Sequence, residues 1–323
     1  MAESPLTIWA VSDGRAGIAA QAAGLAQALT RLRPASIETK TVRWKGRWGR
    51  LPWRLIPLAA LEPVSAIAPP WPDVWIAAGR ATLPLSTRVR RWSKGRTFVV
   101  QVQHPRTRLS PYDLVVPPRH DGLEGPNVFS ITGAPQRLTP ERLAEDLARF
   151  EARIAPLPRP RVAVLIGGKS KAHDLSPARA GAMGAEIAAA VSEAGGSVLV
   201  TFSRRTPEPA KRALNEALSP LPGWVWDETG ENPYFAFLAA ADVILVTEDS
   251  TNLATEAAFT GKPVMLLAMD GRSEKLARFH ADLAERGVLR PFRGKLETWT
   301  YPPLDETARA AEELLRRLDA RGA

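Results

Sequence analysis

Three short polar stretches in the second half of the sequence each follow an apolar run that is typical of a buried strand. They are IGGKSKAHD (166–174), TFSRRTPEP (201–209) and EDSTN (248–252). Glycines let the backbone approach a ligand closely, and lysine, arginine and hydroxyl side chains suit phosphate oxygens. Because ligands of open α/β sheets bind at the carboxyl ends of the strands, we expect the three stretches to converge on one crevice.

The chemistry predicted for this crevice is the binding of a diphosphate and a ribose. Two adjacent arginines favour bidentate contacts with oxyanions, and a glutamate inside the small-residue helix after EDSTN could accept hydrogen bonds from a vicinal diol. The alternatives are structural: tight turns, solubilising surface charge, helix N-caps and an exposed helix residue. The candidate residues for binding the diphosphate and the ribose are Gly167, Gly168, Lys169, Ser170, Ser203, Arg204, Arg205, Ser250, Thr251, Asn252 and Glu256.

Several other chemistries are disfavoured by what the sequence contains. The stretch at 166–171 is similar to half of a P-loop, but Ala163 stands where that motif needs its first glycine, so a nucleoside-triphosphate hydrolase is disfavoured. The chain has no cysteine, no Asp-x-Asp triplet and only four histidines, at unrelated spacings. We therefore expect no metal site and no cofactor.

Two polar turns in the first half supply candidates for acid–base chemistry. Asp13 follows the first predicted strand and could deprotonate an acceptor hydroxyl, although an aspartate at this place could equally cap the next helix. His104 ends another predicted strand and is a second acid–base candidate. The candidate substrate contacts beside them are Gly14, Arg15, Gly17 and Arg106.

A basic, tryptophan-rich segment, KTVRWKGRWGRLPWRLIPLAAL (40–61), is not explained by nucleotide binding. It contains six lysines and arginines and no acid. This mixture is typical of interfacial membrane attachment, but it also suits single-stranded nucleic acid or a packed structural segment. Its apolar end favours the membrane, so an anionic membrane surface is the expected partner and nucleic acid is not. The predicted membrane contacts are Arg43, Trp44, Lys45, Arg47, Trp48, Trp53 and Arg54.

The composition is that of a globular protein with an uneven charge. Of the 323 residues, 45% are hydrophobic, and residues 1–150 carry a net charge of about +10 while the remainder is close to neutral. The sequence has no visible export signal and no apolar stretch of membrane-spanning length. We expect a cytoplasmic protein that lies peripherally on the inner face of the membrane.

Apolar runs alternate with helical periodicity along the whole chain, which predicts an α/β fold with two Rossmann-like doubly wound domains. The proline-rich stretch IAPLPRPR (154–161) reads as a linker, so the domains are predicted to span 1–156 and 157–323, with the last helix able to pack on the first domain. The predicted strands are 6–12, 36–43, 73–79, 97–103, 112–116, 127–131, 161–167, 197–203, 223–226 and 242–247.

The order of these motifs resembles that of a known family. The second half is similar to nucleotide-sugar glycosyltransferases of the GT-B fold, and the set as a whole resembles the mitochondrial-fission elongated-mitochondria (ELM) family. The motifs that carry the resemblance are SDGRAGIAAQAAGLAQAL (12–29), QHPR (103–106), IGGKSK (166–171), TFSRRTP (201–207) and EDSTNLATEAAFTGKPV (248–264).

The resemblance implies a GT-B-like architecture in which the second domain holds a nucleotide-sugar and the first binds the acceptor. Glu256 would hold the ribose, Gly168, Ser170 and Arg204 the diphosphate, and residues 250–252 a phosphate or the sugar. The implied function is a membrane-associated, metal-independent glycosyltransferase acting on a lipid-linked or envelope glycan. The alternatives are a sugar-nucleotide epimerase or hydrolase, and a non-catalytic membrane scaffold.

Overall fold

The computed structural model describes residues 5–322, which form two compact units. The first unit contains residues 5–137 and 305–322, and the second contains residues 138–304. None of the helices in the described part of the chain has both the length and the apolar character needed to cross a membrane.

The first unit is built on a five-stranded parallel sheet in the order β2-β1-β3-β4-β5. The strands are β1 (Leu6–Ser12), β2 (Ala35–Thr41), β3 (Val74–Ala78), β4 (Phe98–Val102) and β5 (Leu114–Val116), and the helices are α1 (Ala16–Leu32), α2 (Leu83–Trp92) and α9 (Glu306–Gly322). The predicted strand at 127–131 is wrong, because the chain there makes only isolated bridges at Val128 and Ile131.

The second unit is built on a six-stranded parallel sheet in the order β13-β11-β10-β6-β8-β9, with a separate β7–β12 pair. Its strands are β6 (Arg161–Ile166), β7 (His173–Asp174), β8 (Ser197–Phe202), β9 (Gly223–Val225), β10 (Val243–Thr247), β11 (Val264–Leu267), β12 (Asp270–Gly271) and β13 (Leu289–Pro291). Its helices are α3 (Pro140–Ile154), α4 (Pro177–Glu193), α5 (Glu208–Leu218), α6 (Tyr234–Ala240), α7 (Thr251–Phe259) and α8 (Glu274–Glu285).

The strands are apolar because both faces of each sheet are covered. In β6, Val162 and Val164 face one core cluster while Ala163 and Leu165 face another. A strand buried on both faces reads as a continuous apolar run rather than as an alternating one. This burial explains why the central strands were readily predicted from the sequence.

The predicted domain boundary lies inside the second unit. Helix α3 packs on α6, and Ile154 lies in one cluster with Trp224 and Phe237. The proline-rich stretch after it is also held by the second unit, since the Ser197 amide donates to the carbonyl of Pro160 at 3.0 Å. These prolines therefore shape the entry into β6 and do not separate the units.

The last helix belongs to the first unit. Ala310, Ala311 and Leu314 of α9 lie in the core with α1. The buried Glu306 accepts a hydrogen bond from the Thr132 amide at 2.8 Å, which satisfies a backbone donor of the loop before α3. The first unit thus combines the chain's beginning with its end.

Each sheet has a point where the strand order reverses, and ligands of doubly wound proteins bind there. In the first unit this point lies between β1 and β3, and in the second it lies between β6 and β10. Asp13 follows β1 directly, and the Gly167 and Gly168 pair follows β6. Asp13 and the Gly167–Gly168 pair therefore lie at the reversal points of their sheets.

Two helical glycines provide a matched test of this packing. A Cβ on Gly24 in α1 would lie 2.3 Å from the backbone oxygen of Gln136, whereas a Cβ on Gly181 in α4 would meet nothing within 4 Å. We expect Gly24→Ala to destabilise the fold by about 1–3 kcal/mol. Gly181→Ala should stabilise it by roughly 0.5–1 kcal/mol, because alanine is the better helix former. Urea unfolding of both variants measures the difference, and equal effects would contradict the packing.

Candidate functional site

The three predicted polar turns of the second unit meet at the carboxyl ends of β6, β8 and β10. The Gly167 amide donates to Oγ1 of Thr247 at 2.7 Å, and the Gly168 amide donates to Oδ2 of Asp249 at 3.0 Å. The hydroxyl of Thr206 donates to the carbonyl of Gly167 at 2.5 Å. Side chains from two loops thus satisfy the backbone of the third.

Asp249 is the centre of this arrangement. Its side chain has no exposed surface, and its Oδ2 accepts a hydrogen bond from Nη2 of Arg205 at 2.7 Å. Its Oδ1 accepts the hydroxyl of Thr247 at 2.8 Å. A buried charge is tolerated only when it is paired and hydrogen-bonded, and this carboxylate has both kinds of partner. The site therefore has one anion that the protein itself neutralises.

The two glycines are required by this packing. A Cβ on Gly167 would lie 1.9 Å from Oδ1 of Asp249, and a Cβ on Gly168 would lie 2.2 Å from the backbone of Arg205. The sequence interpretation assigned both glycines to the approach of a ligand. In the structure they first allow the neighbouring loops to approach each other.

Most of the candidate hydroxyls at the site shape its loops. Oγ of Ser170 accepts the His173 amide at 3.0 Å, and Oγ of Ser203 accepts the Arg205 amide at 3.1 Å. Ser250 is the N-cap of α7 and accepts the Leu253 amide at 3.3 Å, as its structural alternative predicted. Thr251 and Asn252 follow it as the first two residues of α7 and are partly exposed.

The lysine and arginine side chains of these loops differ in their ion pairs and hydrogen bonds. Nζ of Lys169 lies 2.6 Å from Asp174, and this hydrogen bond lowers the pKa of that carboxyl. Arg205 donates to Asp249 and to the carbonyl of Lys169 at 3.1 Å. Arg204 is exposed and makes no ion pair within the described residues. Arg204 is therefore free to contact an anion at this edge.

Glu256 lies on α7, one and a half turns after the N-cap, and is partly exposed. Its Oε2 accepts the hydroxyl of Tyr234 at 2.6 Å, while no described residue hydrogen-bonds Oε1. The surrounding protein desolvates the carboxyl and raises its pKa to about 7, and the hydrogen bond from Tyr234 opposes that rise. One carboxylate oxygen is thus oriented by the protein and the other is available to a hydroxyl.

In the first unit, Asp13 is paired with its neighbour in sequence. Its Oδ2 accepts Nε of Arg15 at 2.9 Å and its Oδ1 accepts the Arg15 amide at 3.1 Å. The N-cap of α1 is Arg15, without a side-chain cap, so Asp13 does not cap this helix through its first turn. A Cβ on Gly79, just after β3, would lie 3.6 Å from Oδ2, which places the carboxylate at the reversal point of the sheet.

The other first-unit candidates form a separate turn or support this one. Nδ1 of His104 accepts the Arg106 amide at 2.9 Å. Arg106 itself has a φ of 51°, in the left-handed region. Gly14 has a φ of 78°, which only glycine adopts without strain, and Gly17 lies in the first turn of α1. No hydrogen bond or ion pair in the described residues joins Asp13 to His104.

The basic segment is only partly as predicted. Trp44 is 8% exposed and its indole donates to the carbonyl of Ala81 at 3.0 Å, so its prediction as a membrane contact is wrong. Trp53 is partly buried in the same cluster, whereas Trp48 is 42% exposed. Four further apolar side chains of this region are exposed, which are Leu51, Leu55, Leu58 and Val64. Leu55 and Leu58 belong to the apolar end from which the membrane was predicted, whereas Leu51 and Val64 lie outside it.

Two functional candidates were also missed from the sequence. Asp249 lay within the polar turn EDSTN but was treated only as part of a helix cap, and Tyr234 gave no signal because its partner lies 22 residues away. Within residues 5–322, no cluster of three or more His, Asp and Glu side chains could hold a metal ion.

The sequence profile of the family named mitochondrial fission ELM1 matches residues 16–318. The chain belongs to this family. Its relatives include the mitochondrial fission protein ELM1 of Arabidopsis thaliana, which is 34% identical over an alignment of 285 residues that covers 78% of this chain and 65% of the plant protein. They also include the uncharacterized protein RP120 of Rickettsia prowazekii, which is 26% identical over 95% of this chain and 97% of its own. The chain thus spans only about two thirds of the length of its plant relative.

Solved structures with the same fold include an epimerase and a glycotransferase. The UDP-GlcNAc 2-epimerase of Methanocaldococcus jannaschii matches with a TM-score of 0.58 and 12% identity, over 98% of this chain and 100% of that protein. The glycotransferase of kitacinnamycin matches with a TM-score of 0.50 and 14% identity, over 99% and 97%. The predicted fold, two Rossmann-like units of the GT-B type, is confirmed, and the ELM-family member has the architecture of glycosyltransferases and epimerases.

The hydrogen bond between Tyr234 and Glu256 can be tested by measuring the pKa of the Glu256 carboxyl. We expect Tyr234→Phe to raise the pKa of Glu256 above its value of about 7, because the variant loses the hydrogen bond that favours the ionised form. A carbon-13 NMR titration of side-chain carboxyls measures the pKa, with Glu256→Gln identifying the resonance. An unchanged or lowered pKa in the phenylalanine variant would show that the hydroxyl does not contact this carboxylate in solution.

Proposed function

We propose that this protein is a glycosyltransferase that binds a nucleotide-sugar at the β6–β10 edge of its second unit and acts at a membrane surface. The observation that carries the proposal is Glu256, a carboxylate on the helix after β10 with one oxygen held by Tyr234 and the other open. A ribose diol offers two hydroxyl donors to such a group. Two of the solved structures that share the fold are complexes with UDP-GlcNAc, which makes this the first donor to test.

The diphosphate would be bound by cations and not by a metal. Arg204 and Lys169 lie on the loops that Asp249 and Arg205 hold together, and Lys169 exposes 68% of its side chain. Guanidinium groups bind oxyanions in forked pairs, and they offset the charge that develops on a departing diphosphate. In this role Arg205 orients the loops through Asp249, while Arg204 contacts the phosphates.

The proposed reaction is attack of an acceptor hydroxyl on the anomeric carbon of the sugar. The bond from that carbon to the diphosphate oxygen breaks, the nucleoside diphosphate leaves, and the hydroxyl proton passes to a base. Asp13 is the proposed base, because it lies at the reversal point of the first sheet with Arg15 holding its orientation. His104 remains the second candidate for the same role.

Membrane association is proposed for residues 45–64 of the first unit. Trp48 and Leu55 are 42% and 64% exposed, and Arg47, Arg50 and Arg54 alternate with them along the segment. Exposed leucines beside arginines match a surface of anionic headgroups over acyl chains. The acceptor would then be lipid-linked or an envelope glycan, and the protein would work on the inner face of the membrane.

Donor binding is tested by Glu256→Gln. We expect UDP-GlcNAc affinity to fall by roughly tenfold or more, as for loss of a charge-assisted hydrogen bond to a partly buried group. In the native protein the affinity should rise as the pH increases through about 7, because the diol donates to the ionised carboxylate. Isothermal calorimetry measures both effects, with Glu216→Gln, an exposed glutamate of the same unit, as the matched control. Equal affinities in both variants would remove Glu256 from the site.

Catalysis is tested by Asp13→Asn. The amide preserves the shape but cannot take a proton, so we expect turnover to fall by about 10² to 10⁴ while UDP-GlcNAc affinity changes little. Product analysis separates sugar transfer from donor epimerisation or hydrolysis, which occur on the same fold. Near-native turnover would exclude Asp13 as the base, and a protein without any nucleotide binding would support a scaffold instead of an enzyme.

The membrane contact is tested by Leu51→Ser with Leu55→Ser. We expect this double variant to bind anionic vesicles several-fold more weakly, and to lose mainly the part of binding that salt does not screen. Leu32→Ser, an exposed leucine on α1, is the control, and co-sedimentation over a salt series is the measurement. Equal loss in the control, or equal binding to neutral vesicles, would contradict a membrane contact at residues 45–64.

A further inference from the structure

A groove of about 510 Å³ in the first unit is lined by arginines and lies apart from the residues proposed for donor and base. It is formed by Trp53 and Arg54 of the basic segment, by α2 and by the loop after β4. We call it the arginine groove; its polar lining residues are Arg54, Arg88, Arg91, Arg108, Thr87 and Thr107. No acidic residue lines it.

The charge of the arginine groove is uncompensated. None of its four arginines forms an ion pair with any residue in the described part of the chain. By contrast, Arg90, which lies between Arg88 and Arg91 on α2, pairs with Asp113 at 3.4 Å. Arg88 and Arg91 are three positions apart on α2, a spacing at which like charges repel. Four guanidinium groups around one cavity therefore favour binding of a multiply charged anion there.

Two of the guanidinium groups are already oriented. Nη1 of Arg88 donates to the carbonyl of Pro84 at 2.6 Å, and Nη2 of Arg54 donates to the hydroxyl of Thr107 at 3.1 Å. Each contact uses one end of the planar group and leaves further N–H donors for a ligand. Phosphate oxygens are the anions that such forks bind best.

Exposed apolar side chains stand near Arg54 in the sequence. Leu55 follows Arg54 directly and is 64% exposed, and Leu51 is 37% exposed and lines a second basic groove with Lys45 and Arg47. The first unit has 23 lysines and arginines against 13 acids, so anionic surfaces attract it as a whole. A free anion would satisfy the arginines but would leave these leucines in water.

We propose that the arginine groove binds the diphosphate headgroup of a lipid. A diphosphate supplies the two or more negative charges that four guanidinium groups call for, and its chain would lie along the exposed leucines. The proposal rests on the membrane part of the proposed function, because it assumes that residues 45–64 contact a bilayer. It is independent of donor binding in the second unit.

The test compares two kinds of vesicle with equal surface charge, one containing a polyprenyl diphosphate and the other phosphatidylglycerol. We expect the native protein to bind the diphosphate vesicles about tenfold more tightly or better, as for several charge-assisted hydrogen bonds. Arg91→Gln with Arg108→Gln, both exposed groove residues, should abolish this preference. Lys94→Gln with Arg119→Gln removes the same charge from exposed positions of the same unit outside the groove and should retain it.

Four results would overturn the proposal. These are equal affinity for the two vesicles, equal loss of preference in the two double variants, inorganic diphosphate binding as tightly as the lipid, and tighter binding to a single-stranded oligonucleotide than to vesicles. Vesicle binding without a preference for the diphosphate lipid would reject only the proposal that the arginine groove binds a lipid diphosphate. Failure to bind any vesicle also rejects the proposed membrane contact. Neither outcome alters UDP-GlcNAc binding, which calorimetry measures separately.

Discussion

The loops at the edge of the second sheet depend on one ion pair, in which the carboxylate of Asp249 is fully buried and the guanidinium of Arg205 is partly exposed. Asp249 follows β10, has no exposed side-chain surface, and connects the loop after β6 through the Gly168 amide to the loop after β8 through Arg205. Leaving such a carboxylate unpaired would cost several kcal/mol, so Arg205 and Asp249 constrain each other's position. The need for close contact also explains Gly167, because any larger residue would displace the carboxylate.

The Asp249–Arg205 pair shows that the polar loops contain two kinds of residue, those that hold the loops together and those that are available to a ligand. The sequence motifs alone do not distinguish them. One set of residues holds the loops together, and its polar groups already have partners within the protein. This set is Asp249, Arg205 and Thr206. Arg204 and Oε1 of Glu256 are at the same edge and are not used in such contacts. Because the loop-holding residues fix the backbone, Arg204 and Glu256 keep a defined position before a ligand binds.

Much of the fold could be predicted from the sequence, because strands such as β6 and β10 are buried on both faces and end abruptly at glycine or polar residues. The same burial brought the three candidate loops to one edge. Helix α2 and its arginines were not predicted, since three arginines interrupt the apolar positions of LPLSTRVRRW and the helix is short. The domain boundary was misplaced because prolines signal a break in secondary structure and do not reveal which unit packs against them.

Side-chain environments were harder to predict than elements. Trp44 and Trp48 stand four residues apart in the same basic sequence, yet the first is buried against Ala81 and the second is exposed. Only long-range packing distinguishes them, and the same holds for Tyr234 with Glu256. The arginine groove likewise joins residues up to 58 positions apart, from Trp53 to Pro111, which no local pattern connects.

The central claim, that a nucleotide-sugar binds where β6, β8 and β10 end, is tested most directly by hydrogen–deuterium exchange with and without saturating UDP-GlcNAc. A ligand that binds only the native state slows exchange where it contacts or tightens the backbone. The structure predicts slower exchange in residues 166–171, 203–206 and 248–256, with little change at residues 45–64 of the first unit. Unchanged exchange throughout the second unit, or slowing confined to the first, would contradict the claim.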